Sequence, residues 1–151
     1  MSDVTVLDEI FGESNASRER RILLPHPLPS RRLSLLCRTL TSDEIGASWK
    51  MSERLARKSD ARHKLLHMTN LLALATLEIW RDDEPVCGSN GDPLTFEDDE
   101  LLERAKVADR MDAVPKVVGR DGDIIVMGDA LVEQSGYTDD GYEVGEADPT
   151  I

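Results

Sequence analysis

The stretch LLHMTNLLALATLEIWRDDEPV, residues 65–86, contains the most hydrophobic helical pattern in the chain and decides the fold. Its apolar residues recur at steps of three and four, which is the spacing of one face of an α-helix. The stripe consists of Leu65, Met68, Leu72, Ala75 and Ile79, and Leu66, Leu71, Leu74 and Leu77 widen it. We therefore expect a central core helix, and we expect residues 77–86 to leave it as a strand.

Two helix-start signals precede this stretch. Thr41 or Ser42 can cap a helix whose first turn is acidic, and Ser59 with Asp60 repeats the signal. Between the two signals, Ile45, Trp49, Ser52 and Ala56 follow one another at steps of four, three and four, which is helical spacing. The sequence therefore predicts a helix from the first signal onward that breaks or bends near Ser59.

Nearer the N-terminus the pattern becomes extended. Residues 20–24 and 31–38 are short apolar runs that predict two strands, and the prolines between them exclude regular structure. Such prolines favour an edge or a small irregular sheet. Residues 3–11 have near-helical apolar spacing, so we expect a short amphipathic helix that ends at Gly12, followed by a polar linker over residues 13–19.

Turn and helix signals alternate after the core stretch. Asn90-Gly91 is the favoured two-residue hairpin turn, so residues 93–96 are expected to form the returning strand. Residues 97–111 then predict a helix, and Pro115 is expected to interrupt the apolar run that follows.

The C-terminal part is less regular. Residues 121–135 fit either a helix or a strand; their apolar spacing favours the helix, although Gly122 and Gly128 weaken it. The chain beyond Gly136 is acidic and glycine-rich. We therefore predict an α+β fold: a helix-rich single small domain with short β-hairpin elements and a disordered acidic C-terminal tail. The expected divisions are a short N-terminal helix and linker (residues 1–19), the globular domain (20–136) and the tail (137–151).

Charge is strongly polarised along the chain. The 151 residues carry a formal net charge of −12, which divides into −4 for residues 1–17, +7 for residues 18–67 and −15 for residues 68–151. Such acidity argues against general binding to nucleic acid or to an anionic membrane face, and no apolar run is long enough to span a bilayer. Cys37 and Cys87 are too few for a disulfide scaffold, so we expect two buried or idle thiols in a reducing compartment.

Motifs for catalysis or metal binding are weak. His63 and His67 stand four residues apart on a predicted helix, but Lys64 occupies the position where a zinc protease has glutamate. We therefore expect a pair on the helix surface and no metal site. No spacing nominates a nucleophile with its base, so the expectation is a protein without catalytic residues or a cofactor.

A basic row and an apolar row are the candidate contact surfaces. The candidate partner-binding residues are Arg54, Lys58, Arg62, Leu65, Met68 and Leu72. The three basic residues recur every fourth position, which would place them on one helix face that is either solvated, paired with the chain's own acids, or bound to a protein or nucleic acid. The three apolar residues form either a groove for a partner or part of the core.

The features above occur in a recognisable order. The chain contains in succession LDEIFG (7–12), RRILLPHPLPSRRLSLLCRTL (20–40), TSDE (41–44), EIWRDDEPVCGSNGDPLTFEDDELLE (78–103) and ALVEQSGY (130–137). The fourth segment combines a short hairpin, Pro-Leu-Thr-Phe and an acidic helix start, and it resembles tail assembly chaperones of long-tailed bacteriophages. ALVEQSGY resembles the end of the core in such chains, before a variable acidic tail. The resemblance covers residues 7–137 and consists of patterns without catalytic signatures.

The resemblance implies a non-enzymatic helper that binds the phage tape-measure protein and helps recruit tail-tube protein during tail morphogenesis. It implies a protein of the host cytoplasm that is absent from the mature virion. Self-association is a possible further contact, and the acidity of the chain leads us to expect neither nucleic acid nor membrane as a partner. A tape-measure protein exposes apolar helices before the tube closes, so its partner needs an apolar groove and a charged surface. Two other classes stay open: a structural virion protein, such as a head–tail connector or completion protein, and a small nucleic-acid-associated or regulatory module that uses residues 18–67.

Overall fold

The centre of the molecule is a helix that passes directly into a strand, within residues 60–81. The computed structural model describes residues 3–18 and 20–137. The helices in this part of the chain are α1 (Asp3–Arg18), α2 (Ser42–Ala56), α3 (Asp60–Ala75), α4 (Asp99–Ala105), α5 (Arg110–Val118) and α6 (Asp121–Gln134). The strands are β1 (Arg21–Pro25), β2 (Leu33–Arg38), β3 (Thr76–Arg81) and β4 (Glu84–Pro85), and a single 3-10 turn covers Pro29–Arg31. The predicted α+β class, a single small domain, is confirmed.

The four strands form one antiparallel sheet in the order β1-β2-β3-β4. Because successive side chains of a strand face opposite sides, β1 buries Ile22 and Leu24 and exposes the residues between them. β2 likewise buries Leu33, Leu35 and Cys37. Both predicted N-terminal strands are therefore confirmed, and β1 lies at an edge of the sheet, where proline is tolerated.

Helices α2 and α3 confirm both predicted helix starts. The Thr41 hydroxyl accepts a hydrogen bond from the Glu44 N–H, and the Glu44 carboxylate accepts one from the Thr41 N–H. The Ser59 hydroxyl caps α3 by accepting an N–H of its first turn. Between the helices, Arg57 and Lys58 adopt left-handed backbone conformations with φ of 50° and 71°. The chain reverses there, and α2 packs against α3.

The core lies between the sheet and helices α3, α5 and α6. Met68, Leu71 and Leu72 of α3 are fully buried, which confirms the predicted core helix. The helix is nevertheless shorter than the predicted apolar stripe: α3 stops at Ala75, and Ile79, the last residue of the stripe, joins the core from β3. Pairing of β3 with β2 requires extended backbone, and this requirement ends the helix before the apolar pattern does.

A two-residue hairpin turn that the sequence does not predict joins β3 to β4. Trp80 pairs with Pro85, so the turn consists of Asp82 and Asp83. Their φ angles are 52° and 62°, and positive φ at both central positions is what this tight turn demands. Pro85 is tolerated because its position opposite Trp80 does not donate to β3, and the following Val86 N–H still donates to the Ile79 carbonyl over 2.7 Å.

Asn90-Gly91 lies in a second turn, after β4, where the Gly88 N–H donates to the Asp92 carbonyl and the Leu94 N–H donates to the Val86 carbonyl. The predicted returning strand over residues 93–96 is absent from the described structure of this segment, which contains one isolated bridge between Cys87 and Pro93. The chain therefore turns back where the sequence predicts, but the pairing is too short to form a strand. The loop reaches α4, where the Ser89 N–H and hydroxyl donate hydrogen bonds to the Glu100 carboxylate.

The helix predicted over residues 97–111 is two helices. α4 stops at Ala105 because Lys106 adopts a left-handed conformation with φ of 60°. Asp109 then caps α5 with its side chain. Pro115 lies inside α5 and does not interrupt it, because the neighbouring residues are packed in the core and outweigh the missing hydrogen bond.

Helix α6 resolves the choice between helix and strand that the sequence leaves open. Gly128 lies at the close approach of α6 to α3, where an added Cβ would come within 2.6 Å of the Cβ and Sδ of Met68. The residue that weakens the local helix pattern therefore permits the packing. Apart from Tyr137, the predicted acidic tail lies outside the described residues.

Helix α1 departs furthest from its prediction. It continues through Gly12 and includes residues 13–18, which the sequence predicts as a linker. A glycine costs a helix only about 1 kcal/mol and does not by itself end it. The side chains of residues 5–12 are all exposed, so this part of α1 does not join the core. No helix in the described part of the chain is long and apolar enough to cross a membrane.

Candidate partner-binding groove

The predicted basic row is not one helix face. Arg54 lies in the last turn of α2, Lys58 lies in the reversal, and Arg62 lies in the first turn of α3. The prediction is wrong because α2 ends at Ala56, so the four-residue spacing does not continue along a single axis. All three basic side chains are exposed at the same end of the helix pair.

The predicted apolar row belongs mainly to the core. Met68 and Leu72 are 0% exposed, and Leu65 is partly buried against the same cluster. A partner could not contact Met68 or Leu72 unless the domain opened. These two residues therefore take the core role that the sequence leaves open, and an accessible contact surface lies elsewhere.

The histidine pair takes part in the packing of α2 on α3. His67 is fully buried, and its Nδ1 lies 2.9 Å from the Ser48 hydroxyl, which accepts a further hydrogen bond from the Asn70 amide. His63 packs on Trp49 with ring centroids 3.8 Å apart. The prediction of a surface pair is therefore wrong for His67. Within residues 3–18 and 20–137, no group of three or more side chains could hold a metal ion.

A groove lies between the loop after β4 and helices α4 and α5, with a volume of about 630 Å³. Its apolar lining residues are Val86, Leu94, Leu101, Ala105 and Val117. Val86 is 37% exposed and Leu101 is 8% exposed, so the apolar floor begins at the surface and runs into the core.

The groove continues towards the sheet in an adjoining cavity of about 380 Å³. The two cavities share Val86, Leu101 and Val117, and the second is also lined by Leu33 of β2 and Ile79 of β3. We call the two cavities together the α4–α5 groove. Leu33, Ile79 and Leu101 belong to the hydrophobic core, so the floor of the groove is continuous with the core of the domain.

The α4–α5 groove has a basic rim in an otherwise acidic protein. Its charged lining residues are Arg31, Arg81, Arg104, Lys116 and Glu100. Four of these five side chains are cationic, whereas the whole chain has a formal net charge of −12. A cationic rim around an apolar floor favours a partner that combines apolar and acidic side chains.

Hydrogen bonds hold two of the charged groups in place. The Arg31 guanidinium donates to the carbonyls of Val117 and Val118, over 2.7 and 2.9 Å, at the C-terminal end of α5, where a cation is favourable. The Glu100 carboxylate accepts hydrogen bonds from the Ser89 hydroxyl and N–H, and these bonds lower its pKa. The charge pattern of the groove is therefore partly built into the fold.

The two cysteines differ in exposure. Cys37 is buried in β2, and burial raises the pKa of its thiol to about 11, which disfavours the reactive thiolate. Cys87 is exposed and lines the α4–α5 groove. The expected burial is therefore confirmed for Cys37 only, and the thiol of Cys87 can report whether the groove is occupied.

Sequence reasoning missed this groove because its basic residues are scattered. Arg81, Arg104 and Lys116 are three of the six basic residues in residues 68–151, a segment with a net charge of −15. Their meeting point depends on how α4 and α5 pack against the sheet, which no local pattern reveals.

Comparisons with protein-family models, with curated proteins and with solved structures find no match for this chain. The function is therefore argued from the residues and the groove of this chain alone.

Proposed function

We propose that the protein is a non-enzymatic tail assembly chaperone of a long-tailed bacteriophage, and that its α4–α5 groove binds apolar helical segments of the tape-measure protein. The observation that carries this proposal is the apolar floor of the groove within a basic rim. The resemblance over residues 7–137 supports the class of protein. In this proposal the protein works in the host cytoplasm, helps recruit tail-tube subunits and leaves before the virion is complete.

A groove of this shape suits one face of an amphipathic helix. A whole helix is about 10–12 Å across, so the helix would lie over the opening while the side chains of its apolar face enter the groove. Acidic residues beside that face would meet Arg81, Arg104 and Lys116. Binding of this kind covers apolar surface that otherwise drives the tape-measure protein to aggregate.

Co-expression with the tape-measure protein of the same phage tests the proposal. We expect the wild-type chain to raise the soluble fraction of that protein and to co-purify with it. Val86→Asp and Arg104→Glu should weaken the complex by about tenfold or more, because they place a charge on the floor and reverse a charge at the rim. Arg54→Glu is the matched control, since both arginines lie in the last turn of their helices.

Other outcomes of these experiments would point to a different contact surface or a different class of protein. No gain in solubility and no co-purification with the wild-type chain would contradict the chaperone proposal. A loss caused by Arg54→Glu but not by Arg104→Glu would move the contact to the predicted basic residues at the α2–α3 reversal. Detection of the chain in purified particles by mass spectrometry would favour a structural virion protein. Salt-sensitive DNA binding by the chain would favour the nucleic-acid module.

A further inference from the structure

Helix α1 presents a row of apolar side chains to solvent. Val6, Leu7, Ile10 and Phe11 are between 42% and 59% exposed, and their spacing places them on one side of the helix. Helices α2 to α6 each bury residues in the domain, whereas every described side chain of α1 is exposed. A contiguous apolar surface of this kind is typical of an interaction site.

The same helix is acidic. Asp8 and Glu9 are exposed on α1, and residues 1–17 contain four acidic residues and no basic one. The α4–α5 groove has an apolar floor and four cationic side chains at its rim. The helix and the groove are therefore complementary in both apolar character and charge.

We propose that the α4–α5 groove binds helix α1 of a second copy of this chain, and that two copies exchange their helices reciprocally. The apolar side of α1 covers the floor around Val86 and Leu94, and Asp8 and Glu9 approach the basic rim. Reciprocal exchange fills both grooves and gives a closed dimer with twofold symmetry.

The exposure of α1 in the structure favours a second copy over the same chain. Only residues 19–20 join α1 to β1, and Arg21 pairs with Arg38 at one end of the sheet. The groove is lined by Leu33 and Arg81, which pair with each other at the opposite end, about 16 Å away along β2. Helix α1 has 16 residues and is about 24 Å long, so this distance is within its reach. The side chains of residues 5–12 are nevertheless all exposed, so α1 does not cover the groove of its own chain, and a second copy can fill it.

The dimer goes beyond the proposed chaperone function and does not depend on it. If both proposals hold, α1 and the tape-measure helix compete for one groove, and binding of the client dissociates the dimer. Self-association is measured on the purified chain alone. Its failure would therefore leave the co-expression experiment unaffected, and the two proposals can fail separately.

Sedimentation velocity of the purified full-length chain over a range of concentrations tests the dimer. We expect the mass to rise with concentration from 16.8 kDa towards twice that value. Leu7→Asp should leave the protein monomeric, and Arg104→Glu should raise the Kd of the dimer by about tenfold or more. Arg54→Glu, with the same change of charge outside the groove, should leave the Kd unchanged.

Two further measurements identify the contact. Leu7→Asp keeps an intact groove and Arg104→Glu keeps an intact α1, so their mixture regains one of the two contacts and should associate more strongly than either variant alone. Cys87 lies in the groove, so its rate of alkylation should fall as the concentration of the wild-type chain rises. The same rate should not depend on concentration in Leu7→Asp.

Three results would overturn the proposal. The first is a wild-type chain that stays monomeric at every concentration with Cys87 fully reactive. The second is protection of Cys87 that does not depend on concentration, which would place α1 in the groove of its own chain. The third is a dimer that Leu7→Asp disrupts but Arg104→Glu combined with Lys116→Glu leaves intact, which would indicate pairing of α1 with α1.

Discussion

At Gly128, the absence of a side chain lets α6 approach α3. A Cβ at this position would lie 2.6 Å from the Cβ and the Sδ of Met68, and Met68 is itself fully buried. We expect Gly128→Ala to lower the free energy of unfolding by about 1–3 kcal/mol, because overpacking outweighs the gain in helix propensity. Urea denaturation followed by circular dichroism measures the change.

Gly122 provides the matched control on the same helix. Nothing lies within 4 Å of the position that its Cβ would occupy. Gly122→Ala should therefore raise the free energy of unfolding by up to about 1 kcal/mol through helix propensity alone. Equal effects of the two substitutions would show that α6 does not need glycine for its contact with α3. In the sequence, both glycines only weaken a helical pattern. Their roles differ because Gly128 contacts Met68, which lies 60 residues earlier in the chain, so the difference cannot be seen locally.

At the scale of elements, Glu44 joins the start of α2 to the end of β2. The Arg38 guanidinium donates two hydrogen bonds to its carboxylate, over 2.6 and 2.9 Å, and chiefly these bonds lower the pKa of Glu44 below its ordinary value of 4.5. Folding therefore favours the ionised form. Its contribution to stability is present above pH 4.5 and is lost as the pH falls through the lowered pKa of the folded state.

Glu44→Gln tests this link, because glutamine still fits the capping pattern while the charge is removed. We expect the variant to be less stable than the wild type by about 0.5–1 kcal/mol at neutral pH, since the pair is partly exposed. The difference should disappear as the pH is lowered well below 4.5. Urea midpoints at a series of pH values measure it, and Glu53→Gln on the exposed face of α2 is the control. A constant difference at all pH values would rule out the ion pair as its cause.

Elements whose ends depend on local chemistry are the ones that the sequence predicts well. The starts of α2 and α3 follow from Thr41 and Ser59, whose side chains bond to the backbone a few residues away. The hairpin turn at Asp82-Asp83 was not predictable in this way, because the sequence predicts one strand over residues 77–86 and the pairing of β3 with β4 decides where the chain turns. Local signals therefore identify element starts, and contacts between distant segments determine where strands turn.

At the scale of the whole molecule, the groove illustrates why the fold was more predictable than the site. Arg31, Arg81, Arg104 and Lys116 lie on separate elements, and the fold brings them around one apolar floor. Segment charges in the sequence describe averages, and the average of residues 68–151 is strongly negative. A local cationic rim can be seen only after α4 and α5 are packed against the sheet.

The apolar residues of α1 and α3 have similar helical spacing, but those of α1 are exposed and most of those of α3 are buried. The same substitution, leucine to aspartate, made in each helix tests this difference. Leu72→Asp buries an unpaired charge in the core and should lower the free energy of unfolding by about 3–5 kcal/mol. Leu7→Asp places the same side chain where the wild-type leucine is 49% exposed, so the change should stay within about 0.5 kcal/mol. Denaturation is measured at protein concentrations low enough for the chain to be monomeric, because self-association would add to the apparent stability. An unchanged unfolding midpoint for Leu72→Asp would contradict its place in the core, and a large loss for Leu7→Asp in the monomer would show that α1 supports its own domain.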